Sequence, residues 1–139
     1  MTEPTKDGNQ PTKGTVAGDD PMYEPRYQEL ATFMRAPYQP DLDGVDVAMY
    51  GVPYDGGVTN RPGARHGPRE IRNQSSLMRA INHATKVNPF ELCSVADVGD
   101  VRFSKVYDNE SVVDDIEAFV RRIVAAGAVP LAAGGDHSI

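Results

Sequence analysis

Residues 111–139, SVVDDIEAFVRRIVAAGAVPLAAGGDHSI, decide the fold. Val112, Ile116, Phe119, Val120 and Ile123 recur at helical spacing and give one apolar face. Ser111-Val112-Val113-Asp114 reads as a capping box in its Asp form, opening that helix. Gly127 stops it, and the apolar run Ala128–Ala133 reads as a buried strand. The strand runs into Gly134, Gly135, Asp136, His137 and Ser138. Paired glycines let a backbone turn sharply and approach a ligand closely. A His beside an Asp just past a strand end is where α/β proteins place metal ligands or acid–base groups.

The same grammar extends toward the N-terminus. Val45–Tyr50 reads as a central strand, apolar on both faces, and Ser94–Val98 as a second strand leading to Gly99-Asp100. Between them the spacing predicts a helix that opens at Pro68, with Gly67 as its cap. It carries Ile71, Leu77, Met78 and Ile81, ends near His83 and is followed by a break at Asn88-Pro89. Tyr27–Met34 is expected to form a short helix. Alternating strands and helices imply an α/β fold with a mostly parallel sheet. Parallel strands share one C-terminal edge, so the loop after Tyr50, Gly99-Asp100 and the Gly134–Ser138 turn should converge there.

Bulk composition narrows the function. A chain of 139 residues suits one domain, and 40% apolar residues can build a core. A net charge of −6 and a pI near 4.9 argue against nucleic-acid and anionic-membrane partners. The apolar runs fall short of the roughly 20 residues of a membrane span. Cys93 is the single cysteine, so no intrachain disulfide forms. With no secretory signal at Met1-Thr2-Glu3-Pro4, the expected location is cytoplasmic. Residues 1–25, with Pro4, Pro11, Pro21 and Pro25 and few apolar side chains, are expected to be a disordered arm, leaving 26–139 as the folded domain.

The residues alone leave several roles open. His137 is either a ligand or a structural capping group, because one imidazole is not a coordination sphere. Asn60, Arg61 and Arg65 lie in a long loop, where a forked guanidinium could bind a substrate carboxylate. The favoured plainer reading pairs Arg61 and Arg65 with acidic neighbours that hold the loop. Asp97 and Asp100 are expected to stabilise the loop edge rather than to catalyse. His66 and His83 read as ordinary polar residues, and Cys93 as a small packed one. No phosphate loop, dinucleotide fingerprint or nucleophile elbow is present.

Four segments occur in order: Gly51-Val52-Pro53-Tyr54-Asp55, Arg61-Pro62-Gly63-Ala64-Arg65-His66-Gly67-Pro68-Arg69-Glu70-Ile71-Arg72, Asp97-Val98-Gly99-Asp100-Val101 and Gly134-Gly135-Asp136-His137-Ser138. Together they resemble the ureohydrolase family of arginase, agmatinase, guanidinobutyrase and guanidinopropionase, from about residue 29 onward. The Arg-Pro-Gly-Ala-Arg segment looks like the agmatinase and guanidino-acid branch more than arginase proper. The resemblance implies a three-layer αβα fold, arginase-like and incomplete in this chain. It implies two Mn²⁺ ions, with Ni²⁺ as the alternative, and activated water attacking a guanidinium carbon to release urea. It makes His137 a metal ligand and Asp136 the residue that supports it. It also implies a small guanidino substrate (agmatine, guanidinobutanoate or guanidinopropanoate) and a homo-oligomer, trimer or hexamer.

The sequence departs from that pattern in one large respect. The family's Asp-Ala-His-x-Asp and Asp-x-Asp-x-x-Asp-Pro motifs are not in it, so the catalytic residues are expected downstream of Ile139. The expectation is an N-terminal fragment, inactive alone, that exposes the apolar face of its last strand. The alternative is a non-catalytic α/β module that joins or modulates a full-length relative. His66, where agmatinases often carry an aromatic, leans toward a guanidino acid or another guanidine.

Overall fold

The computed structural model describes residues 25–139, so the expected N-terminal arm lies almost wholly outside the described residues. Three strands form one parallel sheet: β1 (Val47–Val52), β2 (Val95–Asp100) and β3 (Val129–Gly134), in the order β2-β1-β3. Three α-helices accompany them: α1 (Gly67–Ser75), α2 (Pro89–Leu92) and α3 (Asn109–Ala125). In the register, Ala48 lies beside Ala96 and Pro130, and Gly51 beside Asp100 and Ala133. The anticipated strand–helix alternation is therefore present, with each strand shifted one or two residues toward the C-terminus.

Strand periodicity distributes the core over two faces. Ala48, Tyr50 and Val52 join Ala96, Val98, Val112 and Ile123 in one buried cluster, with Ile116, Phe119 and Val120 of α3 packed on it. The Tyr50 and Phe119 rings lie 5.3 Å apart. On the opposite face Met49 packs with Phe33, Ala36 and Phe90. Burying both faces of β1 is what its near-continuous apolar sequence requires. The result is three layers: α3, the sheet, and α1 with the Phe33–Ala36 segment. No helix among the described residues is long and apolar enough to cross a membrane.

Five local expectations need correction. The last strand, read as buried, has no buried residue within β3, because only one side of it is paired by a described strand. Tyr27–Met34 is not a helix: only a 3₁₀ turn at Phe33–Arg35 forms, because Glu29, Met34 and Arg35 adopt positive φ (68°, 55° and 59°). These angles are outside the right-handed helical well. The helix from Pro68 ends at Ser75, and Gly67 is its first residue rather than its cap. Leu77, Met78 and Ile81 lie beyond it, exposed. At the predicted break, Asn88 accepts a 3.1 Å hydrogen bond from the Phe90 N–H and caps the single turn of α2. Finally, α3 opens at Asn109 after Asp108, and the Ser111 hydroxyl donates to Asp108 Oδ2 at 2.8 Å. Ser111 thus sits inside the first turn instead of capping it.

Candidate functional site at the sheet edge

Because all three strands run the same way, Val52, Asp100 and Gly134 end at one edge, as the alternation of elements predicted. The turn after β3 folds back over the end of β1. The Gly135 N–H donates to the Val52 carbonyl at 3.3 Å, and the Asp136 N–H to the Tyr54 carbonyl at 2.9 Å. A Cβ on Gly135 would lie 2.4 Å from both carbonyl oxygens, so glycine is obligatory. The close approach read from the paired glycines is thus made to the chain's own backbone.

Asp136 is the hub of this turn. Its Oδ2 accepts the Gly57 N–H at 2.7 Å, and its Oδ1 accepts the Ser138 N–H at 3.0 Å together with the Ser138 hydroxyl. Burial pushes this carboxyl up, but the donors from Ser138 and Gly57 outweigh it and hold the pKa below the usual carboxylate value. Asp136 therefore ties the turn that carries His137 to the loop after β1. His137 itself is exposed and makes no hydrogen bond to a described residue.

The loop between β1 and α1 is organised by a residue that sequence reasoning gave no role, Asp55. Its carboxylate is buried and accepts the Gly63 N–H at 2.6 Å, the Arg65 N–H at 3.3 Å and Arg65 Nε at 2.6 Å, and Arg65 Nη2 pairs with it as well. The Arg65 hydrogen bond is the main cause that lowers the Asp55 pKa to about 2; burial opposes it, and the Gly63 and Arg65 amides add to it. Gly63 has φ +138°, a conformation that favours glycine. The plainer reading of the loop is therefore right for Arg65. It is not right for Arg61, which is exposed, as is Asn60, and makes no ion pair or hydrogen bond with a described residue.

A second carboxylate cluster closes the β2 side. Asp97 is fully buried and accepts Arg72 Nε at 2.7 Å, Arg72 Nη2 at 2.9 Å, and the Phe33 and Gly99 N–H groups at 3.0 Å each. Arg72 Nη1 reaches Asp100 Oδ1 at 2.7 Å, and its guanidinium lies 4.1 Å from the Phe33 ring centroid. Burial works against the Arg72 charge, and the two carboxylates more than compensate, leaving its pKa raised. Asp97 and Asp100 thus stabilise the loop edge, as expected. Arg72 was given no role in the sequence, where it stood on the helix after the loop and closed the second of the four family-like segments. His66 and His83 are exposed.

The donor set falls short of a metal centre. Among the described residues no three His, Cys, Asp or Glu side chains gather to hold an ion. His137 offers one imidazole, while the Asp136 beside it is occupied by two amides and a hydroxyl.

Residues 45–139 match the Arginase family. The chain is 47% identical over 115 residues to guanidinopropionase of Pseudomonas aeruginosa, covering 83% of this chain and 36% of that protein. Its fold superposes on proclavaminate amidino hydrolase of Streptomyces clavuligerus with a TM-score of 0.75 and 36% identity, over 82% of this chain and 38% of that one. A Trypanosoma cruzi formiminoglutamase with Mn²⁺ gives a TM-score of 0.60 at 27% identity, over 75% of this chain and 35% of that one. The chain thus spans little more than a third of the length of the relatives it matches.

Proposed function

Since the chain belongs to the arginase family, we propose that it forms the N-terminal part of a binuclear-metal hydrolase that cleaves a small guanidino compound to urea and an amine. The observation that carries this reading is the bond from Gly57 to Asp136. It joins the His137 turn to the loop bearing Asn60 and Arg61, at the sheet edge where α/β folds bind ligands. The name of the guanidinopropionase relative supports a guanidino substrate, and the Mn²⁺ in the formiminoglutamase structure supports manganese.

In this reading His137 would supply one ligand to a Mn²⁺ ion, and an imidazole would accept Ni²⁺ as well. Metal chemistry of this kind activates water and stabilises charge on the attacked carbon. The chain's own residues do the rest of what is present here. Asp136 fixes the backbone on which His137 is carried, and Asp55 fixes the loop that faces the substrate. They do not complete the metal site, so the 139-residue chain is expected to be inactive alone. Trimeric or hexameric assembly and a cytoplasmic location belong to the same proposal. Exposed Val129 and Leu131 on β3 favour a second reading, a non-catalytic module that associates with a longer relative.

The test has two parts. The coding sequence past Ile139 is read for the two Asp-rich motifs, and urea release is assayed with Mn²⁺ on 3-guanidinopropanoate, 4-guanidinobutanoate and agmatine. Both motifs, with urea release only from the polypeptide that carries them, are the expected result. Finding neither motif, with a stable soluble chain that releases no urea, would leave the module reading.

A further inference from the structure

Helix α3 packs one face on the sheet, through Val112, Ile116, Phe119 and Ile123, and turns the opposite face outward. On that outer face Asp114, Ala118, Arg121 and Ala125 follow one another in alternating steps of four and three residues, and all four are exposed. This spacing is the seam of a helix pair, the line along which one helix meets another. Glu117 and Arg122 flank it, and the six residues line a shallow groove along the helix. The two alanines put no long side chain in the way of a neighbouring helix.

Charge is divided along this seam. Asp114 and Glu117 lie in the N-terminal half of α3, Arg121 and Arg122 in the C-terminal half. Glu117 pairs with Arg121 within the helix, yet both side chains remain mostly exposed and keep hydrogen-bonding capacity for a second helix. The helix dipole favours acids in the first turn and bases in the last. It gives no reason for Glu117 and Arg121 in the middle turns. A parallel copy of α3 would set Asp114 and Glu117 beside their own equivalents. An antiparallel copy, related by a two-fold axis near Ala118, sets Asp114 and Glu117 of each chain against Arg121 and Arg122 of the other. We infer that the outer face of α3 docks on α3 of a second copy of this chain, antiparallel and registered by these four charges. A single helix pair buries less than the roughly 1,200 Å² of a stable interface, so the dimer is weak and forms at high concentration. This contact is independent of the hydrolase reading.

The experiment measures the mass of the full chain by sedimentation equilibrium, up to about 1 mM, the range a contact of this size requires. The parent chain should pass from monomer toward dimer as concentration rises. Two charge-reversed chains are compared with it, one carrying Asp114→Lys and Glu117→Lys, the other Arg121→Glu and Arg122→Glu. Each alone sets like charges across the axis, twice over by symmetry, and should weaken the dimer about tenfold or more. Mixed in equal amounts, the two should form a heterodimer at least as tight as the parent dimer, because each supplies the charges the other lacks. That recovery reports the contact itself, since a misfolded variant would not regain it on mixing. A parent chain that stays monomeric at about 1 mM overturns the inference. So does a mixture that stays monomeric. Association that neither reversal weakens overturns it too, and moves the contact elsewhere, as to the exposed β3.

Discussion

β2 and β3 flank the same central strand, yet the more buried of the two is β2, which carries the charged Asp97 and Asp100, while β3 has no charged residue. β2 is buried at Ala96, Asp97 and Val98. Its outer side is covered: the Gln39 N–H donates to the Asp97 carbonyl, the Asp97 N–H donates to the Pro37 carbonyl, and Arg72 bridges Asp97 to Asp100. β3 pairs with β1 alone among the described strands, and its Val129 and Leu131 are 61% and 50% exposed. Hydrophobicity thus marks a strand that can be buried, without saying what buries it. On the β2 side, one buried carboxylate recruits its own cover.

That contrast can be tested where it is strongest. Asp97→Ala removes the acceptor shared by Arg72, Phe33 and Gly99 and leaves a partly buried guanidinium with Asp100 alone. Breaking a buried pair from one side costs roughly 3–5 kcal/mol, so the denaturation midpoint should drop steeply. An effect below about 1 kcal/mol would mean that cover on β2 does not depend on this cluster.

The middle test concerns the loop that both sides share. Asp55 titrates at about 2 in the fold, below the roughly 3.9 of an unfolded Asp. Its pairing with Arg65 therefore stabilises fully above about pH 4 and is lost as pH falls toward 2. Amide protection of Gly63, followed by hydrogen exchange, should decline across that window. Asp55→Asn should show low protection with no such decline. Protection that is flat with pH in the parent chain would remove Asp55 from its organising role.

The smallest effect is expected on β3. Leu131→Ser should change stability by no more than about 0.5 kcal/mol, as for other exposed positions. A cost above about 1.5 kcal/mol, or a loss of mass in solution on substitution, would show that β3 is covered by a second copy or by further chain.

Much of this molecule was legible in its sequence. Helical spacing from Val112 to Ile123 located α3 and its buried face, and short apolar runs located three strands whose parallel order follows from the alternation. The convergence of Gly51, Asp100 and Gly134 on one edge follows in turn. Periodicity failed around Leu77, Met78 and Ile81, where apolar residues at helical spacing continue past the end of α1 at Ser75. It failed again at Glu29, Met34 and Arg35, where positive φ overrides helix propensity.

The sequence by itself determined the direction of the strands and the placement of Asp136 and His137 at the C-terminal edge, because periodicity and turn residues act locally; the three layers were implied by the family resemblance. Only the tertiary structure decided which charge each guanidinium meets. Arg65 reaches back to Asp55, Arg72 crosses to Asp97 and Asp100, and Arg61 pairs with no described residue. Those pairings join residues from different elements or from opposite ends of a loop. Electrostatic attraction carries no sequence period, so its partners become fixed only when the backbone closes around them.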